Sequence, residues 1–337
     1  MFNRYVLFGR VHIPDFAKSS LFNLVVRQLN QSNPELLTDK MGEIDIHRNA
    51  YIPPELMRDT LGLIWADADP VILLAIGQGV RDAQYDPMWH AAVRSVCPSV
   101  FFDKWRRFEV FGHSRNRLHI EQVSETSASF HRYTVDGGVP TAPENLMICG
   151  LVMAILEEIG CKDLCCEMPL EDGALYSVYR SGQFSMPAQK HLLMTGSWTM
   201  DWRECVPNSK SVGAPCMPAE ISIPQSCDTR VRKSLEVVVQ LLMLDVSRQW
   251  KIDELARASG MSKRSLQRRL KDVELSFSEL VRMVRIRESC RLLKDPNTPI
   301  TTIGFCSGFS DSAHFSRDFR ASTGMTPSDY RAVSLGL

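Results

Sequence analysis

The stretch GFSDSAHFSRDFR, residues 308–320, carries the pattern of a short amphipathic helix that follows a glycine turn. Phe315 and Phe319 are four positions apart, so they share one face of a helix. The opposite face carries Ala313 and Arg317, one small and one basic. This pattern predicts a helix that packs its aromatic face against its own domain and leaves a small and basic face free.

A second stretch upstream repeats this layout. In IDELARASGMSKRSLQRRL, residues 252–270, a glycine again precedes a helix, and a serine stands where an N-cap is needed. Leu266 and Leu270 share one face of this helix, and Arg264 and Arg268 lie opposite them. Two copies of one amphipathic pattern favour a repeated structural unit over a single chance helix.

The segment between the two copies predicts one long helix. SFSELVRMVRIRESCRLLKD, residues 276–295, has apolar residues at helical spacing, and Pro296 follows its end. The C-terminal part is therefore predicted to be all-α, with two helix-turn-helix units joined by a long helix. In such a unit the second helix enters the major groove of DNA. A plain helical bundle is the alternative, and two copies in register on a basic part of the chain make it the weaker one.

Charge is distributed unevenly, although the net charge of the 337 residues is +0 at pH 7. From Thr229 onward the chain holds 19 Lys and Arg against 12 Asp and Glu, a balance of +7. The residues before it hold 20 against 27, a balance of −7. A basic C-terminal third beside an acidic remainder indicates a domain that binds a polyanion, and on charge alone a solvated basic face without a partner is an equal alternative.

A proline-rich stretch separates the two parts. VPNSKSVGAPCMPAEISIPQS, residues 206–226, carries four prolines, which fix φ and remove backbone hydrogen-bond donors. We therefore expect three regions, namely an N-terminal domain over residues 1–205, a linker over 206–227 and a C-terminal domain over 228–337. Few core contacts are expected to cross between domains joined by such a linker.

Residues 1–205 carry signals for both strands and helices. RLHIEQVSETSASFHRYTV, residues 117–135, predicts two strands about a serine-rich turn. ENLMICGLVMAILEEIG, residues 144–160, predicts a long apolar helix that ends at a glycine. We therefore predict an α+β fold, with a mixed α+β N-terminal domain, a linker and the all-α C-terminal domain.

Residues from about 228 to 334 resemble the DNA-binding domain of the AraC/XylS family of bacterial transcription regulators. The segments that carry the resemblance are DELARASGMSKRSLQRRL, SFSELVRMVRIRESCRLL, GFSDSAHFSRDFR and GMTPSDYR, and the last two form the family's signature. The resemblance implies a sequence-specific DNA-binding transcription regulator whose N-terminal domain senses a small molecule, dimerises, or does both. It also implies operator or promoter DNA as a partner, a homodimer and a contact with RNA polymerase. An activator is the expected class, although the sequence leaves activation and repression open.

The resemblance assigns the DNA contacts to the second helix of each unit. Arginine can donate two hydrogen bonds to guanine, and glutamine can pair with adenine. Gly304 and Ser289 stand where the family usually has alanine, and Ala313 offers no polar group to a base, so the second unit is expected to bind more weakly or less selectively than the first. The predicted DNA-binding residues are Ser262, Lys263, Arg264, Gln267 and Arg268 in the first unit and Ser312, Ala313, Ser316, Arg317 and Arg320 in the second.

An enzyme fused to the same DNA-binding module, such as a DNA-repair or amidase-like activity, is the alternative. The ten cysteines include Cys161, Cys165 and Cys166 in CKDLCCEM, but no C-x₂-C pair or histidine pair completes a metal set. Cys149 lacks the flanking pattern of a nucleophile and is expected to be a buried thiol. We therefore expect no enzyme activity, no catalytic residues, no metal and no cofactor.

The sequence shows no sign of a membrane or secreted protein. No apolar run approaches the roughly 18 residues that a membrane span needs. The first residues, MFNRYVLFGRVHIPDF, interrupt their apolar positions with charges, unlike a secretory signal. We therefore expect a cytoplasmic protein without a membrane partner. The effector and the residues that bind it stay unidentified at this point.

Overall fold

An antiparallel sheet organises the first part of the chain. The computed structural model describes residues 15–36, 51–82, 86–207 and 228–335. Its strands are β1 (Ala17–Lys18), β2 (Tyr51–Ile52), β3 (Asn116–Ser124), β4 (Ser127–Thr134), β5 (Cys161–Lys162), β6 (Cys165–Pro169), β7 (Leu175–Arg180), β8 (Gln183–Phe184), β9 (Ser197–Asp201) and β10 (Glu204–Cys205). Within these ranges six strands form one sheet in the order β3-β4-β9-β6-β7-β8, and every neighbouring pair is antiparallel. The pairs β1–β2 and β5–β10 are also antiparallel.

The β3–β4 hairpin confirms the two strands predicted in residues 117–135. Alternate residues of the hairpin are buried, as expected for strands with one face on a core. Ile120 pairs with Phe130 in the register, and both are 2% exposed. The ring of Phe130 stacks on that of Trp198 in β9, with centroids 5.7 Å apart. Cross-strand pairs of this kind fix the register of the sheet.

Six α-helices in the described residues accompany this sheet, and the longest is almost fully buried. They are α1 (Ser19–Ser32), α2 (Pro54–Asp67), α3 (Val71–Ile76), α4 (Pro87–Val93), α5 (Pro98–Gly112) and α6 (Ala142–Glu158). Thr141 and Glu144 form a capping box at the start of α6, and every residue from Pro143 to Leu156 is buried. A Cβ on Gly150 would overlap the carbonyl of Leu74, so glycine lets α3 and α6 approach closely. The apolar helix predicted in residues 144–160 is confirmed.

The C-terminal part is helical throughout its described residues. Its helices are α7 (Thr229–Leu244), α8 (Ile252–Ala258), α9 (Lys263–Lys271), α10 (Phe277–Leu292), α11 (Ile300–Cys306), α12 (Ser312–Thr323) and α13 (Pro327–Leu335). Ser276 and Glu279 form a capping box that starts α10, the predicted long helix. Leu266 packs in one hydrophobic cluster and Phe315 in another, so the two predicted units pack in separate cores. The α+β fold is therefore confirmed.

The second helix-turn-helix unit shares its core with the first part of the chain. Phe108 of α5 belongs to the same hydrophobic cluster as Ile303 of α11 and Phe309. The rings of Phe111 and Phe305 lie 4.6 Å apart. The expectation that few core contacts cross between the two parts is wrong, because α5 presents apolar residues to α11 as well as to its own core. The periodicity of one helix does not show which partner covers each face.

The predicted linker, residues 206–227, lies outside the described residues except for its first two positions. The division into domains at 1–205 and 228–337 therefore stays a prediction. Among the helices in the described parts of the chain, none is long and apolar enough to cross a bilayer.

Candidate nucleic-acid interface

The first helix-turn-helix unit consists of α8, a tight turn and α9. Gly260 in the turn has φ +69°, a left-handed conformation that suits glycine. The Ser262 side chain then accepts a hydrogen bond from the backbone N–H of Ser265 at 3.1 Å and caps α9. Leu266 and Leu270 are buried in the core of this unit. The sequence thus dictates where α9 begins and which of its faces points inward.

The opposite face of α9 is exposed to solvent. The five residues predicted there, Ser262, Lys263, Arg264, Gln267 and Arg268, are all exposed. Lys263 forms an ion pair with Asp253 of α8 at 3.2 Å, and exposed pairs of this kind are weak and easily exchanged. The neighbouring Arg269 is half-buried and contacts the sulfur of Met261 at 2.7 Å. The first unit therefore presents a continuous polar and basic surface.

The second unit repeats this arrangement with α11, a turn and α12. Asp311 caps α12 by accepting a hydrogen bond from the backbone N–H of His314 at 2.7 Å. Phe315 and Phe319 are 0% exposed, which confirms the inward face read from residues 308–320. On the outward face Ala313, Ser316, Arg317 and Arg320 are exposed, and Ser312 is half-buried.

The glycine before α12 is held more tightly than the glycine before α9. Gly308 has φ +89°, and a Cβ there would overlap the carbonyl oxygen of Val246. The same Cβ would lie 2.9 Å from Nε of Arg285. At Gly260 a Cβ would meet no described atom within 4 Å. The two turns share a backbone conformation, but only the second is packed against the rest of the chain.

The unusual glycine in α11 also has a structural explanation. A Cβ on Gly304 would lie 2.7 Å from Cδ1 of Phe315. The aromatic ring of α12 therefore occupies the space that an alanine methyl group would fill. A glycine in a helix interior costs about 1 kcal/mol relative to alanine, and the close packing of a large ring against the helix backbone offsets that cost.

A groove between the two units collects residues that sequence analysis did not single out. It is lined by Arg282 and Arg285 of α10 and by His314 of α12, among others. The Arg285 guanidinium donates to the side-chain oxygen of Gln249 at 3.1 Å, and burial lowers the pKa of Arg285 to about 10. Arg282 is exposed. The three-residue spacing of Arg282 and Arg285 in the long helix of a basic domain is the sequence signal that could have indicated this groove.

The cysteines of the described residues are not arranged as a metal centre. The eight described cysteines are free thiols. The sulfurs of Cys149 and Cys166 lie 3.5 Å apart, and burial raises the pKa of Cys166. No group of three or more His, Cys, Asp and Glu in the described ranges is arranged to hold a metal ion. Cys149 is buried in α6, as predicted.

Comparisons with known proteins match the C-terminal part of the chain to transcription regulators. A family model described as a helix-turn-helix domain matches residues 255–332. The probable transcription factor PqrA of Proteus vulgaris is 38% identical over 82 residues, which are 24% of this chain and 67% of that protein. The HTH-type transcriptional activator FapR of Escherichia coli is 27% identical over 95 residues, which are 28% of this chain and 36% of FapR. The match therefore spans little more than a third of the length of FapR.

One solved structure aligns over nearly the whole chain. The alignment with the transcriptional regulator CdpR from Pseudomonas aeruginosa covers 96% of this chain and 99% of CdpR. Its sequence identity is 16% and its TM-score is 0.36.

Proposed function

Because the chain belongs to the AraC/XylS family of transcription regulators, we propose that it binds specific sequences in operator or promoter DNA and regulates transcription there. The observation that carries this proposal is the repetition of one surface. Both α9 and α12 bury an apolar face in their own unit and expose a polar and basic face. Both lie on the part of the chain with a charge balance of +7.

The exposed faces divide into two proposed roles. Arg264, Gln267 and Arg268 of α9 have the donor and acceptor groups that recognise base edges in the major groove. In α12 the corresponding residues are Ser316 and Arg317, with the small Ser312 and Ala313 allowing close approach of the helix. Lys263 and Arg320 are proposed to contact phosphates, and exposed Arg282 in the groove between the units is a further candidate.

The organisation of the whole chain is part of the same proposal. Residues 228–337 form the DNA-binding domain, 206–227 the linker, and 1–205 a domain that binds a small effector, dimerises, or does both. Dimers would place two copies of the DNA-binding domain on repeated half-sites. We further propose that the protein is an activator that contacts RNA polymerase, works in the cytoplasm and is not an enzyme.

Selection from a random pool of DNA duplexes tests this function with the full chain. We expect enrichment of one motif with two segments, one for each helix-turn-helix unit. Affinity for the enriched duplex should fall steeply as salt rises, by roughly 0.9 in log K per phosphate contact for each unit of log salt. The same selection with an Arg264→Ala, Arg268→Ala double variant should lose the segment read by α9 and keep the other. A pool that stays unenriched, with binding that ignores salt, would rule the function out.

A further inference from the structure

A cavity lies in the first part of the chain, beside α4, α5 and the buried helix α6. Most of its wall is apolar, and small-molecule sites in proteins are lined mainly by apolar side chains with a few polar groups among them. The apolar residues of the wall include Met57, Met88, Trp89, Ala92, Trp105 and Phe108.

The wall of the cavity also carries one buried cation and two carboxyl groups. Arg132 is 4% exposed and donates from Nε to the side-chain oxygen of Asn145 at 3.3 Å. Burial lowers the pKa of Arg132 to about 10, and the charges of Glu144 and Glu109 oppose that shift. The positive charge therefore already has two acidic partners. An anionic ligand would meet both carboxyl groups as well as the arginine.

Three N–H groups on the wall have no hydrogen-bond acceptor among the described residues, Nε1 of Trp89, Nε1 of Trp105 and Nε2 of His113. Nε1 of Trp105 lies beside the Glu109 carboxyl, so Trp89 and His113 carry the donors that a ligand can use. Nδ1 of His113 accepts hydrogen bonds from the backbone N–H groups of Arg115 and Asn116, each at 3.1 Å. Burial lowers the pKa of His113 to about 4, so the neutral ring carries its hydrogen on Nε2. A buried donor without a partner is unfavourable, and a ligand that brings an acceptor relieves it.

We propose that this cavity binds a small, mainly apolar and uncharged molecule that carries a carbonyl or hydroxyl oxygen. The oxygen accepts a hydrogen bond from Trp89 or His113, and the apolar body lies against Met57, Trp105 and Phe108. A cationic head group would approach the Arg132 guanidinium, which already has the two carboxyl groups as partners, and it would bring no acceptor to the N–H groups of Trp89 and His113. An anionic head group would approach Glu109 and Glu144.

The same cavity wall is joined to the second helix-turn-helix unit. Met88 of α4 and Phe108 of α5 line the cavity, and both belong to the hydrophobic cluster that contains Ile303, Cys306 and Phe309. One face of the α4–α5 pair is therefore in contact with any ligand, and the other holds α11. Since packed cores transmit displacements rather than absorbing them, a ligand that moves Met88 or Phe108 also moves α11.

This connection deepens the function proposed above and rests on it. Occupancy of the cavity shifts the position of the second unit relative to the first. Because both units must fit one face of the same DNA, that shift changes the affinity for the two-segment site. The cavity is thus proposed as the effector site of the regulator.

Binding is tested by isothermal titration calorimetry of the full chain with four eight-carbon probes that differ in their head group. We expect 2-octanone and 1-octanol to bind with one site per chain, and octanoate and octylammonium to bind at least tenfold more weakly. The substitution Trp89→Phe should weaken the binding of 2-octanone at least threefold. Absence of saturable binding by all four probes, or tighter binding of either charged probe, would overturn the proposed ligand class.

A pair of glycine variants locates the site. Gly112 lines the cavity, and a Cβ there meets no described atom within 4 Å, so Gly112→Leu adds a large side chain beside the cavity without a backbone clash. Gly62 in α2 is equally open but does not line the cavity, which makes Gly62→Leu the matched control. We expect Gly112→Leu to abolish binding of 2-octanone and Gly62→Leu to retain it. Equal binding by both variants would place the site elsewhere and refute the proposal.

The link to DNA is measured separately, with the duplex enriched by selection. We expect saturating 2-octanone to change the affinity of the wild-type chain at least fivefold and that of Gly112→Leu by less than twofold. Unchanged affinity in a chain that binds both probe and DNA would overturn the coupling and leave the binding site standing. A chain that binds the probe but no DNA would contradict the regulator function instead.

Discussion

The ammonium group of Lys104 in α5 lies 2.7 Å from the carboxylate of Asp245, which follows α7, and the two side chains are 0% and 2% exposed. Nζ of Lys104 also donates to the backbone oxygen of Ala91 at 2.6 Å. Nearby, Arg107 donates to the backbone oxygen of Ser247 at 3.0 Å. A buried charged pair thus joins the first part of the chain to the start of the DNA-binding part, beside the shared hydrophobic cluster.

Removal of one partner of this pair should destabilise the folded chain strongly. Lys104→Met leaves the Asp245 carboxylate buried without its counter-charge, and the loss of one partner from a buried pair typically costs about 3–5 kcal/mol. The free energy of unfolding, measured by urea titration with tryptophan fluorescence, tests the value. The double variant Lys104→Met, Asp245→Leu should recover most of the loss, because an apolar pair needs no desolvation of charge. A double variant as unstable as the single variant would contradict this account.

The two turn glycines should respond differently to the same substitution. Gly308→Ala introduces a Cβ that overlaps the carbonyl of Val246 at positive φ, so we expect a loss of roughly 3 kcal/mol or more in unfolding free energy. Gly260→Ala has the same positive φ but open space, and it should cost only about 1–2 kcal/mol. Urea titration of both variants checks the difference. Equal losses would mean that the close packing around Gly308 does not contribute to the loss of unfolding free energy.

The glycine in α11 gives a third prediction. Gly304→Ala gains about 1 kcal/mol in helix propensity but forces its methyl group against Phe315, at a cost of roughly 1–3 kcal/mol. We expect a net loss of stability in the wild-type background and a gain in a Phe315→Leu background, where the ring is absent. The double-mutant cycle in urea measures this coupling. Additive effects of the two substitutions would show that contact with Phe315 does not cause the loss of stability in Gly304→Ala.

The second helices of both units could be predicted from sequence because their determinants are local. The apolar spacing of Leu266 and Leu270, and of Phe315 and Phe319, fixes which face is buried whatever the rest of the fold does. The glycine turns and serine and aspartate caps mark where the helices begin. The hairpin at residues 117–135 was predictable for the same reason, since alternation and a turn are adjacent in sequence.

The contacts between the two parts could not be predicted in this way. Lys104 looks in sequence like any solvated lysine on a helix, and its burial depends on Asp245, far away in the chain. The cavity likewise depends on helices and strands that meet only after folding. The unpaired donors of Trp89 and His113 have no sequence signal, because an unpaired group is defined by what is not near it in space.

Stability should fall as pH falls from 6.5 toward 4. Burial lowers the pKa of His90 and of His113 from 6.5 to about 4. Within that window the unfolded chain binds more protons than the folded chain, so protons favour unfolding. Each histidine contributes a loss of up to about 2 kcal/mol by pH 5. Burial raises the pKa of Glu109, which acts in the opposite direction and reduces the total.

Urea titrations at pH 7.5, 6 and 5 measure this dependence. His90→Gln removes one titrating group, so the slope of unfolding free energy against pH should be smaller in this variant than in the wild-type chain. A slope equal in both proteins would show that other groups control acid sensitivity.

Arg268→Ala should weaken binding to the enriched DNA by about 1–3 kcal/mol, the contribution of one good contact between an arginine and a base. Its side chain is exposed on the outward face of α9, so its removal leaves the buried face untouched. The preference for one base should relax at the same time, because a base contact carries sequence information and a phosphate contact does not.

Arg230 is an exposed arginine of α7 outside both second helices, and it provides the control. The substitution Arg230→Ala should change the affinity for DNA little and the base preference not at all. Fluorescence anisotropy with single-base variants of the duplex measures both quantities, and Arg317→Ala should show the same effects at the other segment. Weaker binding with an unchanged base preference would make Arg268 a phosphate contact and move base recognition to Arg264 or Gln267.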